Sequence, residues 1–251
     1  MFKKIIVISF IMAMASSFSH SKEYKFIGQD YEPFNWLEND KMQGGMFEVV
    51  RTACLKMKVS CSFDILPMKR VTKMLEDGAT DGVLSLIQNS DREKYSVLST
   101  PIINSSMSLH AIKNSYPKKV KLADFKNATI GVTSSSSAAK MAEKIKEEYN
   151  DITIVYEVSL VTTIKKLSAR RYGLTGLGMA NEDVAKVFIK KSNIENVEAI
   201  YHVDSSDFGV AFSKVNIDHL FIDKFNKTII SMKKSGEIKK LLKPFGLKAA
   251  N

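Results

Sequence analysis

Arg92 is the side chain whose position along the chain most clearly suggests chemistry. It follows Val83-Leu84-Ser85-Leu86-Ile87, a short apolar run that reads as a buried strand. Between them lies Gln88-Asn89-Ser90-Asp91, polar residues suited to a loop that opens a helical turn. The spacing sets a fixed cation just past the carboxyl end of a strand, where open α/β sheets bind ligands. A guanidinium grips a carboxylate through two parallel hydrogen bonds. The competing reading is a surface arginine paired with its neighbours Asp91 or Glu93. A second donor group is Thr133 followed by Ser134, Ser135, Ser136 and Ser137, where hydroxyls and the free amides of a helix start would hold an anion. Simple N-capping with a loose loop is the alternative. Tyr31, Phe34 and Trp36 offer either an apolar platform for a ligand or a cover for the core edge. Met68 and Arg70 stand at the start of a helix that follows a strand, so Arg70 is either a second ligand cation or a plain surface residue.

Other chemistries find little support. The histidines His20, His110, His202 and His219 show no metal-ligand spacing, and no metal or cofactor is expected. There is no G-x-S-x-G elbow, no P-loop, and no G-x-G-x-x-G after a strand. The net charge of +10 is spread over scattered lysines without a basic run interleaved with aromatics. It reads as solvated surface rather than a nucleic-acid footprint. Met1-Phe2-Lys3-Lys4, the apolar Ile5 to Ala15 and the small residues that follow are expected to form a secretory signal peptide over 1–21. No cysteine adjoins the expected cleavage site, so a soluble exported protein is expected rather than a lipoprotein. In an oxidising compartment the two cysteines, Cys54 and Cys61, are expected to form a disulfide. Two reduced buried thiols are the alternative.

The elements that must position these groups alternate. Strands are expected at Tyr24 to Gly28, Ser62 to Leu66 and Val83 to Ile87, with helices from about Met46 to Met57 and from Pro67 to Gly78. Pro101 to Lys113 reads as extended, and the rhythm then restarts. Strands are expected at Ala128 to Val132, Ile152 to Tyr156, Leu174 to Gly178, Val197 to His202 and Phe208 to Phe212. Helices are expected from the serine run to Tyr149, at Leu160 to Ala169, from the cap Asn181 to Lys190, at Ile217 to Met232 and at Glu237 to Leu242. Two successive α/β units imply two lobes.

Several stretches resemble family 3 extracellular solute-binding proteins, the periplasmic receptors of polar amino-acid ABC transporters. They are Tyr31-Glu32-Pro33-Phe34, the helix opening Gly44 to Val50, the block Asp81 to Pro101, Ile130-Gly131-Val132 with its serine loop, Phe208 to Lys214, and Lys234 to Ile238. The resemblance implies an α/β, two-lobed periplasmic-binding-protein-like (type II) fold joined by two hinge crossovers. Lobe one would hold 22–106 and 213–251, and lobe two 109–208. A ligand in the cleft would close the lobes. By match of position, Arg92 would bind a carboxylate, Ser85 and Ile87 would flank the ligand, and Ser135, Ser136 and Ser137 would meet it from lobe two. Tyr31, Met68 and Arg70 complete the expected ligand set. The implied partner is an ABC permease in the inner membrane, and the receptor is expected to be monomeric.

The chain also departs from that pattern. Ile87 stands where amino-acid binders usually carry threonine, and Tyr172 to Gly178 lacks the aspartates that usually hold the ligand's ammonium. The expectation is a periplasmic receptor for a small anionic or zwitterionic solute, with an anion lacking a free amine favoured. Two other readings remain open. One is an enzyme resembling cyclohexadienyl dehydratases, with Glu32, Asp91 or Glu182 as acid or base. The other is a soluble sensor for a membrane histidine kinase.

Overall fold

The computed structural model describes residues 22–216 and 218–251, so the expected signal peptide lies outside the described residues. In chain order the elements are β1 (Glu23–Gly28), β2 (Trp36–Glu38), β3 (Lys41–Gln43), α1 (Gly45–Met57), β4 (Ser60–Ile65), α2 (Met68–Glu76), β5 (Gly82–Leu86), β6 (Ser96–Leu98) and β7 (Ile103–Ile112). There follow β8 (Thr129–Thr133), α3 (Ser137–Glu148), β9 (Thr153–Glu157), α4 (Leu160–Ser168), β10 (Leu177–Asn181), α5 (Glu182–Lys191), β11 (Val197–Ser213), α6 (His219–Lys234), α7 (Glu237–Leu242) and β12 (Lys248–Ala249).

The strand order is β4-β1-β5-β11-β7-β10-β8-β9, with β6 added on β11 and β12 on β7. At one end β4, β1 and β5 run parallel, and at the other so do β10, β8 and β9. Each triplet places its first strand between its second and third, so the same α/β unit occurs twice. The antiparallel pair β7 and β11 joins the two ends. Central strands β5 and β10 are buried along their whole length, which explains their continuous apolar runs. On α1 the residues Met46, Val49, Val50, Ala53 and Met57 all face the core, at the helical spacing read from sequence.

Three differences from the sequence reading have local causes. Asn39 and Asp40 both take left-handed backbone (φ 51° and 59°), so β2 and β3 close as a tight hairpin in a stretch where no strand was expected. Residues 170–176 are consumed by turns (Gly173 N–H to Arg170 O, 3.1 Å), which pushes β10 on to Leu177–Asn181. The two strands expected between 197 and 212 are one strand, β11, whose register against β7 slips between Ala199 and Tyr201 and again between His202 and Asp204.

Cys54 and Cys61 form a disulfide tying the end of α1 to β4. A bridge across a separation of seven residues removes little chain entropy. Reduction is therefore expected to cost about 2 kcal/mol, the low end for disulfides. Intact-mass measurement after alkylation without reduction should add no label; two labels would show the bridge absent from the protein.

Candidate functional site

The carboxyl ends of the parallel strands in both triplets converge on one cavity of about 430 Å³. Gln29 to Glu32 reach it from the end of β1, Ile87 and Arg92 from beyond β5, Thr133, Ser136 and Ser137 from β8, Ser159 from beyond β9, and Asn181 from β10. This is the crevice that parallel α/β units leave open at their strand ends.

Arg92 sits in a short 3-10 turn and is 3 % exposed. Asn89 Oδ1 accepts from its backbone N–H at 2.9 Å, and its carbonyl accepts from Ser96 Oγ at 2.9 Å, fixing the turn. From Nη1 the guanidinium donates to the Ile87 carbonyl and, at 3.4 Å, to Ser137 Oγ across the cleft. No carboxylate among the described residues pairs with it, since Asp91 turns outward to Lys94 (3.1 Å) and Lys140 (3.2 Å). The surface-pair reading of Arg92 is therefore not what the fold adopts. Burial pulls the guanidinium pKa below its ordinary value, yet arginine remains charged at any physiological pH. The cavity thus holds a buried cation that pairs with no carboxylate among the described residues.

Four helix N-termini reinforce that sign. Met68 opens α2, Ser137 follows the α3 cap Ser136, Ser159 caps α4 and Asn181 caps α5, and all five residues line the cavity. Ser136 Oγ accepts from Ala139 N–H (3.2 Å), Ser159 Oγ from Thr162 N–H (3.2 Å) and Asn181 Oδ1 from Val184 N–H (3.1 Å). Converging helix starts favour an anion.

The wall from β5 is built by a kink. Between the pairs Leu86–Gly209 and Val83–Ala211 three steps along β5 answer two along β11, and Ser85 takes left-handed backbone (φ 57°). Its hydroxyl then donates to Oδ1 of fully buried Asn35, whose Nδ2 donates to the Gln29 carbonyl at 2.7 Å. The serine thereby ties the β1 loop to the kinked strand. Tyr31 lines the cavity against Phe208 (ring centroids 6.5 Å), and Phe34 supports both from behind. Trp36 packs instead on Phe245, away from the cavity. Burial first, and Asp183 second, raise the Tyr31 phenol far above its ordinary pKa, so it acts as a neutral hydroxyl.

At the solvent side, Glu32 pairs with Lys191 of α5 at 2.7 Å and joins the two triplets across the mouth. Asp30, beside them, has its carboxyl pKa raised, chiefly by the protein packed around it, then by Glu32, with Lys191 opposing.

Of the residues expected from sequence, Arg92, Tyr31, Ser85, Ile87, Met68, Ser136 and Ser137 meet in this cavity. Arg70 is exposed on α2, and Ser135 is exposed with left-handed backbone (φ 58°); neither lines it. Thr133, read as the start of the hydroxyl run, also lines the cavity; Asn181, read only as a helix cap, and Ser159 were not expected there, although each stands at a strand-to-helix junction like the serines that were read. Lys191, Met107, Met179 and Phe208 carry no local signal, because only the tertiary fold brings them there. Glu182 lies outside this cavity and accepts from Ser108 Oγ at 3.0 Å.

Two α/β units facing each other across a ligand-sized cleft, joined by antiparallel crossing strands, define a two-lobed periplasmic-binding-protein fold. Residues 26–248 match bacterial extracellular solute-binding proteins, family 3, and the chain belongs to that family. Arginine-binding extracellular protein ArtP of Bacillus subtilis (strain 168) is 23% identical over 235 residues, covering 91% of this chain and 89% of its own. Among solved structures, a histidine kinase sensor domain with similarity to periplasmic binding proteins superposes with a TM-score of 0.81 at 14% identity, covering 92% of this chain and 99% of that one. An ancestral arginine-binding protein bound to arginine gives 0.78 at 19% identity, covering 89% and 97%. Among the described residues no helix is long and apolar enough to cross a membrane.

Proposed function

We propose that this protein is a periplasmic receptor that captures a small carboxylate-bearing solute in the interlobe cleft and delivers it to an ABC-type permease of the inner membrane. The observation that carries this reading is Arg92, buried in the cavity without an acidic partner among the described residues. A buried unpaired charge is costly, and a ligand anion relieves that cost. In this proposal residues 22–106 and 213–251 form one lobe, 109–208 the other, and the stretches of β7 and β11 between them bend as the hinge. The Arg92 contact to Ser137 reaches from one lobe to the other, so an anion held there favours closure. The receptor works as a monomer in the periplasm.

The test is mass spectrometry of small molecules released by denaturing protein isolated from its own cell envelope, followed by return of the released compound to fresh protein. Recovery of an anionic compound, unchanged after prolonged incubation, is the expected result. Its chemical conversion would move the reading to an enzyme on the same scaffold, with Asp30 and Glu32 the acids lining the cavity. The likeness to a kinase sensor domain favours a second reading, in which the loaded receptor docks on a membrane kinase. Pull-down of loaded protein on detergent-solubilised membranes separates the two.

A further inference from the structure

We infer that the solute is a monocarboxylate with an apolar body and without a free α-amine. The inference rests on the receptor reading above and deepens it. In an α-amino acid the ammonium sits on the carbon next to the carboxylate. A carboxylate on Arg92 therefore brings any α-ammonium into the buried part of the cavity, which must supply an acceptor of negative charge there. The lining offers carboxylates only at its solvent side. Its two acidic residues are Asp30 and Glu32. Glu32 is held by Lys191 at 2.7 Å on the solvent side, and Asp30 lies beside that pair.

Asn181, buried and lining the cavity, has its carboxamide committed: Oδ1 accepts from Val184 N–H at 3.1 Å and Nδ2 donates to Ser105 Oγ at 2.8 Å. Ser85 donates to Asn35, and Ser136 donates to the Thr133 carbonyl at 2.6 Å. Four helix N-termini add positive potential, so an ammonium placed there meets repulsion as well as desolvation. Beside Gln29, Thr133, Ser137 and Ser159 the wall is apolar, with Met68, Met107, Met179, Leu160, Val161 and Phe208 at its surface. Unbranched thioethers adapt to the outline of an aliphatic or aromatic group. An anionic head on Arg92 and an apolar body against the methionines and Phe208 match the buried cation and the apolar wall.

The experiment uses the mature chain, unfolded to strip endogenous solute and refolded. Thermal shift and calorimetry compare three panels. The first holds branched aliphatic and aromatic monocarboxylates, their 2-oxo analogues and N-acetyl amino acids. The second holds the free amino acids with the same side chains. The third holds methyl esters and amides of the first. The expected result is that an amine-free acid binds about tenfold or more tighter than its amino-acid counterpart, with binding lost in the ester and in Arg92→Met. Asn181→Asp, which keeps the helix cap and adds a carboxylate to the wall, should move the preference toward free amino acids. If a free amino acid binds wild-type protein as tightly as its amine-free counterpart, or Asn181→Asp leaves the preference unchanged, the class is wrong while the receptor reading stands. If esters bind as well as acids, if Arg92→Met binds unchanged, or if no compound of the first panel binds, the anion-holding reading falls with it.

Discussion

Replacing Arg92 by methionine lowers affinity for the solute by about 2–5 kcal/mol, the usual cost of removing one partner of a buried charged pair, and leaves the empty protein folded. The second half follows from the same geometry as the first. The guanidinium is buried at 3 % exposure, and its hydrogen-bond partners are neutral: the Ile87 carbonyl, Ser137 Oγ and the Tyr95 side chain. Methionine fills a similar volume without a charge to desolvate, so the ligand-free variant should be as stable as wild type or more so. Stability and binding then move in opposite directions, which a merely structural arginine would not produce. Urea unfolding of the stripped proteins, read beside calorimetry with the released solute, decides the matter. A variant that is destabilised yet binds normally would make Arg92 a scaffold residue.

Gly44→Ala should be the most damaging small substitution near the cavity. Gly44 caps α1 with φ 123°, a backbone region that only glycine visits easily. A Cβ there would lie 2.2 Å from the Phe34 carbonyl oxygen and 2.6 Å from Asn35 Cα, both backbone atoms, so the chain itself would have to shift. That carbonyl accepts from Met46 N–H at 2.9 Å, and Pro33 O accepts from Gly45 N–H at 3.0 Å, so the β1 loop hangs on the first turn of α1. Loop displacement would pull Asn35 from Ser85 and Tyr31 from Phe208. Strain and overpacking each cost about 1–3 kcal/mol, giving an expected loss of about 2–6 kcal/mol in urea unfolding. Solute affinity should fall in parallel, since Tyr31 lines the cavity. A stability change within about 0.5 kcal/mol, ordinary for a surface site, would mean that the loop is not held this way.

Much of this arrangement was legible before the fold was known, for physical reasons that differ from element to element. The strand at 83–87 announces itself because a central parallel strand is apolar on both faces, and the α1 stripe because one helix face packs on the sheet. Arg92 could be singled out because its meaning depends on a local fact, the strand end before it. The serines before α3 were legible as a helix start, and Ser159 and Asn181 obey the same rule without having been read as site residues. Lys191 could not be found that way. It ends a helix whose other end points at the cavity, and it reaches Glu32 only after both triplets are folded against each other. The kink at Ser85 was hidden too, because left-handed backbone at a serine leaves no trace in composition. Arg70 shows the opposite failure: cationic and close to a helix start, it lies on the exposed face of α2.

A crystal structure of the protein loaded with the compound that leaves its own cell envelope with it tests the central claim most directly. The account predicts the solute inside the cavity between the two lobes, with both oxygens of an anionic group within hydrogen-bonding distance of the Arg92 guanidinium and its body against Met107, Met179 and Phe208. A solute seated elsewhere on the molecule, or one that presents a neutral or cationic group to Arg92, would contradict it.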